Sequence, residues 1–307
     1  MIETWLRGPY RLAALVMALC GTVLPVFAQE QPRASSRGRK SFVWRIDAPS
    51  GRTPAYLAGS IHVLTAAHYP LNEAMERAFE AAGTLVEEVQ LDELLSGEGS
   101  ATLLAKGIFT DGRTLETVIT KPTYALVVER LQRVGIPVAA MQRMKPWVIG
   151  LTLMALEIQK AGFDPKLGVD RYFFEKAKKA GKEIRGLESV AYQIDRFDGM
   201  PAVAQEQMLR ASLEDVDTQL ANVKSLADAW AEGDTTATEK LLISSLKDAP
   251  TAYERLVVER NRNWMPAVDA CLQQASPCFI VVGAAHLVGP DGLVTMLKRK
   301  GYRVEQM

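Results

Sequence analysis

The chain has 307 residues, 48% of them hydrophobic and 23% charged. This excludes a disordered chain, a collagen-like fibre and a disulfide-dense miniprotein, and leaves one large domain or two ordinary ones. Its 36 basic residues balance 36 acidic ones, so it carries no general electrostatic handle for nucleic acid.

Arg7 and Arg11 precede an apolar run from Leu12 to Phe27, and Val26-Phe27-Ala28 ends in a small residue. This reads as a secretory signal peptide over residues 1–28, cleaved after Ala28. The alternative is an uncleaved membrane anchor, for which the run is short. Cys20 follows Leu19, not the small residue a lipoprotein signal uses. A periplasmic or secreted protein is expected, with no stable membrane span after cleavage. Residues 29–41 are polar and basic with Pro, Ser and Gly, and read as a disordered tether. The folded domain then covers 42–307.

Phe42–Ile46 alternates as a strand, and a second, Ala55–Ala58, follows the turn Pro49-Ser50-Gly51. Leu71, Met75, Ala78, Phe79 and Ala82 recur at helical spacing over Asn72 to Ala82, with Gly83 as the stop. Thr84–Gln90 reads as a strand. The middle is mostly helical: Pro122–Val134, Trp147–Ala161, Asp170–Ala180, Pro201–Leu213 and Val216–Ala231 each carry an apolar stripe. Gly135, Gly162, Gly181 and Gly233 follow four of them. Lys182–Leu187 is a short strand among these helices. A long helix is expected from Ala252 to Gln273, with Pro266 able to kink it. Cys278–Val282 is apolar enough to be buried on both faces. Asp291 should cap a last helix that ends before Gly301, and Tyr302–Glu305 is a final strand. In an oxidising compartment Cys271 and Cys278 can close a small structural loop; the alternative is two buried thiols. The fold expected is α/β: a mixed central β-sheet built from N- and C-terminal segments, flanked by helices, with a mainly helical middle insertion.

Two of the three histidines share one setting. Gly59-Ser60-Ile61-His62 and Gly283-Ala284-Ala285-His286 each follow an apolar strand. Glycine at a strand end permits a sharp turn and a close backbone approach. The following residues then project over the carboxyl edge of the sheet, where open α/β folds bind ligands. The alternative is a pair of structural histidines. Glu88, near the end of its strand, is placed like them. Two imidazoles and a carboxylate are a common ligand set for a divalent ion, leaving a position for an activated water. Glu87 faces the other way and is expected to be a solvated edge residue.

Arg260 and Asn261 fall inside the apolar stripe of the long helix, traced by Tyr253, Leu256, Val257, Trp264, Val268 and Cys271. A buried guanidinium needs a carboxylate, a carbonyl or a ligand anion. It is either a structural ion pair or a group that stabilises developing negative charge. Glu188, just past the strand Lys182–Leu187, is placed to transfer a proton. His68 is expected to be exposed or capping, Asp170 to open its helix as a cap, and Glu175–Glu183 to form a solvated face.

In chain order, Leu57–His62, Thr84–Val89, Lys145-Pro146-Trp147, Leu167–Asp170, Gly186-Leu187-Glu188, Arg260–Trp264 and Val282–Gly289 resemble the TraB/GumN family over about residues 42–306. That family is itself similar to the Tiki metalloproteases and to erythromycin-esterase-like and haem-binding ChaN-like proteins. The resemblance implies that His62, Glu88 and His286 are metal ligands for manganese or cobalt, with zinc as a third candidate, and that Arg260 and Asn261 are the family's Arg-Asn pair. The expected function is an exported metal-dependent hydrolase of a peptide or small amide, with Arg260, Asn261 and Glu188 as catalytic residues. The alternatives are a non-catalytic peptide- or haem-binding envelope protein, or an accessory factor in envelope polysaccharide production.

Overall fold

The structure, a computed structural model, describes residues 40–49, 53–213, 216–247 and 249–307; the expected signal peptide and most of the tether lie outside them. Six strands form: β1 (Val43–Asp47), β2 (Ala55–Ser60), β3 (Thr84–Glu87), β4 (Glu183–Gly186), β5 (Cys278–Gly283) and β6 (Arg303–Gln306). They make one mixed sheet in the order β4-β3-β5-β2-β1-β6. The strands β4, β3, β5 and β2 are parallel, while β1 is antiparallel to β2 and β6. The α/β class and mixed sheet agree with the sequence reading. The two central strands come from opposite ends of the chain, and every residue of both is buried. Strands buried on both faces have no solvent side to mark with polar residues, so neither shows a clean alternation.

Register aligns the carboxyl ends: Ser60 pairs with Gly283, and Glu87 with Val281. The segments that follow β2, β3 and β5 therefore leave the same edge. β3 stops at Glu87 rather than Gln90, because a one-turn helix, Leu91–Leu94, follows directly. Ser41, at the end of the expected tether, is buried and donates its N–H to the Met307 carbonyl (2.6 Å).

The longer helices are α1 (Glu73–Ala81), α2 (Gly97–Gly107), α3 (Lys121–Arg133), α4 (Pro146–Lys160), α5 (Val169–Ala180), α6 (Val190–Asp198), α7 (Ala202–Leu213), α8 (Val216–Ala231), α9 (Thr235–Lys247), α10 (Glu259–Cys271) and α11 (Leu293–Arg299). Local chemistry sets many of their ends. Asn72 caps α1 by accepting the Ala74 N–H, Pro146 occupies the first turn of α4, and Gly181 ends α5 in the left-handed region. Helices α2, α6 and α9 have no counterpart in the sequence reading. Gly97 and Gly99 weaken the start of α2, yet Ser96 caps it through the Gly99 N–H.

The expected long helix is not continuous. A turn at Pro250–Tyr253 passes into a π-helical turn, Glu254–Val258, before α10 begins. Gly292, not Asp291, caps α11. Asp291 instead accepts the Tyr253 hydroxyl (3.1 Å) and an Asn261 side-chain N–H (2.8 Å). Cys271 and Cys278 form a disulfide that ties the end of α10 to the start of β5.

The main core surrounds the sheet, and a second, including Leu115, Leu131, Ile149 and Leu209, lies within the helical middle. A small third cluster of Val89, Trp147, Val148, Val190 and Ile194 bridges them beside the carboxyl edge. Among the described residues no helix is long and apolar enough to cross a membrane.

Candidate functional site

The two Gly-x-x-His segments leave β2 and β5 side by side. Neither glycine adopts a positive φ; each is needed for space. A Cβ on Gly59 would collide with the Phe42 ring. A Cβ on Gly283 would lie 3.3 Å from Glu88 Oε1, 3.4 Å from His62 Nε2 and 3.7 Å from His286 Cδ2. Three side chains singled out in the sequence thus meet over one glycine.

His62 has its Nδ1 3.1 Å from both Asp170 oxygens, and Ser60 donates its hydroxyl to the same carboxylate. Asp170 therefore does not cap α5, whose N-cap is Gly168. Beside that carboxylate, and against the opposing effect of desolvation, the His62 imidazole is pushed up to about 9. The ring itself opens toward the cavity described below, with its side chain 61% exposed.

His286 is held from both sides. The Asn261 side-chain nitrogen donates to the carbonyls of His286 (3.2 Å) and Asp291 (2.8 Å). Its oxygen therefore faces His286 Nδ1, 2.7 Å away, and that nitrogen must carry the proton. Arg260 Nη1 can only donate, so His286 Nε2, 3.1 Å away, accepts. Burial and the adjacent guanidinium push this imidazole down to about 3, which keeps it neutral.

Glu88 accepts the Gly283 N–H on Oε1 (2.7 Å), and Arg260 Nη2 (2.5 Å) and Gln193 Nε2 (3.1 Å) on Oε2. Burial alone would raise its pKa. Arg260, the protonated His62 and the Gly283 N–H outweigh that, and hold the carboxyl well below its usual range. Arg260 also forks onto Glu188 through Nε (3.0 Å) and Nη2 (2.7 Å), and donates Nη1 to the Leu256 carbonyl (3.1 Å) inside the π-helical turn. Glu188 further accepts Trp264 Nε1 (2.9 Å), and burial raises its pKa against these bonds.

Five of the six residues singled out for the site, Glu88, Glu188, Arg260, Asn261 and His286, are thus in one hydrogen-bonded cluster; His62 meets them over Gly283 but is bonded to Asp170 and Ser60 instead. Several roles differ from expectation. Both amide atoms of Asn261 are engaged, and Glu188 is bonded to Arg260 and Trp264. Glu87 is not solvated: it is 2% exposed, because the helical middle folds over that sheet edge. Neither of its oxygens finds a side-chain partner among the described residues, and only the Leu91 backbone N–H turns toward the carboxyl. Burial, with Asp170 second, pushes it up to about 9. His68 is buried rather than exposed, and its Nδ1 joins Thr65 at the cap of the short turn Ala66–His68. Ser60 and Gln193 were not singled out. Ser60 lies inside the first Gly-x-x-His motif, whereas Gln193 has no sequence signal.

The cluster opens into a cavity of about 350 Å³ lined by His62, Glu88, Arg260 and an apolar wall that includes Trp147 and Phe197. The Lys145-Pro146-Trp147 motif builds this wall: Lys145 Nζ (2.6 Å) and Trp147 Nε1 (3.3 Å) both bond to Asp198.

The donor chemistry fits a divalent ion. His62 Nε2, His286 Nε2 and ionised Glu88 are nitrogen and oxygen donors, and each ring is anchored through Nδ1 by an oxygen partner, as metal-bound histidines are. The set is not closed around one point. Arg260 takes up one oxygen of Glu88 and the free nitrogen of His286, and Glu88 Oε1 lies 3.8 Å from His286 Nε2. Among the described residues no group of three or more His, Cys, Asp or Glu stands ready to hold an ion. Loading requires His62 to release its Nε2 proton and the guanidinium to give up His286.

Metalloprotease TIKI2 of Danio rerio is 23% identical to this chain, over 88% of it and 62% of the relative's own length. The chain thus spans less than two thirds of that relative. No solved structure is significantly similar. The TraB/PrgY/gumN family matches residues 42–306, almost the whole of the folded region, and the chain belongs to that family.

Proposed function

We propose that this protein is an exported, metal-dependent hydrolase of peptide or amide bonds, with His62, Glu88 and His286 holding a manganese, cobalt or zinc ion. The observation that carries the reading is the meeting of His62 Nε2, Glu88 Oε1 and the His286 ring over Gly283, at the mouth of an apolar cavity. When bound, the ion supplies a Lewis acid and a water that ionises near neutral pH. The protein's own groups do the rest. Asp170 and Asn261 orient the two rings. Arg260 directs N–H groups between Glu88 and His286, where they receive a carbonyl oxygen as it gains negative charge. Glu188 grips the other edge of that guanidinium and acts as a positioning residue, as does Asn261. The apolar wall seats the substrate and excludes water. A permanent cation beside the donors repels a second one, so the ion is weakly held. Export to an oxidising compartment accords with the Cys271–Cys278 disulfide.

The test is ion content by mass spectrometry after loading with each metal, for wild type, His62→Ala and Glu88→Ala, alongside cleavage of a fluorogenic peptide library. About one ion per chain is expected in wild type, lost with cleavage in both variants. Equal ion content in all three proteins would sink the proposal.

A further inference from the structure

The cavity has one feature that the reaction above does not use, set beside the apolar wall that it does. Leu94, Leu103, Trp147, Leu151 and Phe197 give it a broad apolar wall. Glu87, almost wholly buried, is set in that wall with no side-chain or charged partner on either oxygen among the described residues. The other carboxylates of the site are all engaged. Asp170 is taken by Ser60 and His62, Glu88 by Gly283, Gln193 and Arg260, and Glu188 by Arg260 and Trp264. Arg171 lines the same cavity but pairs with Glu175 (3.7 Å). A buried carboxyl without a charged partner is costly to ionise unless something else supplies one. Glu87 faces away from Glu88 at the end of β3, yet both line this cavity, so a group paired with Glu87 stays within reach of the reacting centre.

We propose that this cavity receives the first residue of a peptide, with its bulky apolar side chain against Trp147 and Phe197 and its free α-ammonium on Glu87. The inference rests on the hydrolase reading of the same site and makes it an aminopeptidase. The first peptide C–N bond breaks, the water oxygen joins the carbonyl carbon, and the leaving nitrogen takes a water proton. An acyl-blocked terminus lacks the ammonium and leaves Glu87 unpaired.

The test measures both binding and cleavage of leucyl-glycyl-glycine, alanyl-glycyl-glycine and N-acetyl-leucyl-glycyl-glycine by the metal-loaded protein. In wild type, acetylation should weaken binding about tenfold or more. Glu87→Gln should bring the ratio of free to acetylated peptide close to one. Leu103→Trp, which fills the apolar wall, should abolish the preference for leucine over alanine. Equal binding of free and acetylated peptides by wild type, a ratio that survives Glu87→Gln, or no saturable binding of any peptide would each overturn the inference. The two readings separate cleanly. Binding that requires the ammonium, with no cleavage, removes the hydrolase and keeps the subsite. Cleavage indifferent to acetylation removes the subsite and keeps the hydrolase.

Discussion

Three glutamates stand near one sheet edge and are handled in three ways. Glu88 is kept ionised by Arg260, Glu188 shares that guanidinium, and Glu87 has neither. Removing Arg260 would strand two buried carboxylates. Arg260→Ala is expected to cost ~3–5 kcal/mol in urea unfolding, and Arg260→Lys to recover only part, since an ammonium cannot fork across both partners. Glu87 contributes in the opposite sense. Its pKa rises from 4.5 to about 9 on folding. Below 4.5 it is protonated in both states and stability is unaffected. Between these values the unfolded chain loses the proton while the folded protein keeps it, so stability falls as pH rises and levels off above about 9. Glu87→Gln should flatten that slope and gain on the order of 2 kcal/mol at pH 8, read from urea midpoints across the window. An ammonium brought against the carboxyl would restore its charge. The meeting of His62, Glu88 and His286 was legible because each follows a strand running to the same edge. The burial of Glu87 was not, because strand alternation says only that it faces away from Glu88, and the segment that covers that face is remote in sequence.

Among the elements, β2 and β5 were readable as strands because both are short apolar runs, and α1 and α5 because their apolar stripes keep helical spacing, the second ending on Gly181. The π-helical turn Glu254–Val258 was not, since the stripe from Tyr253 to Cys271 keeps helical spacing across it. Its effect is local and chemical: the Leu256 carbonyl accepts Arg260 Nη1, which aims the guanidinium along its own helix toward His286. The disulfide acts at the other end of α10. It joins the helix that carries Arg260 and Asn261 to the strand that leads to His286. Replacing both Cys271 and Cys278 by Ser should lower stability by about 2 kcal/mol through loop entropy alone, measured by urea unfolding. Ion affinity should fall as well, because Asn261 and His286 lose a shared tether.

For the whole molecule, the sheet and the helical middle have separate cores and meet at a small apolar seam, with the cavity beside it. This seam was not legible beforehand. Its residues come from three segments far apart in the chain, Val89 just past β3, Trp147 in α4, and Val190 and Ile194 in α6, and nothing in any one segment marks the other two. The order of the strands reaches further than the geometry of the site. His62 and His286 stand on neighbouring strands whose pairing, Ser60 with Gly283, closes a loop made of most of the folded chain. Contacts of that sequence separation form slowly and late. A polypeptide still leaving the ribosome can carry the first histidine, the glutamates and the arginine without the strand that gathers them. The cluster is therefore incomplete until β5 has been made and has paired with β2.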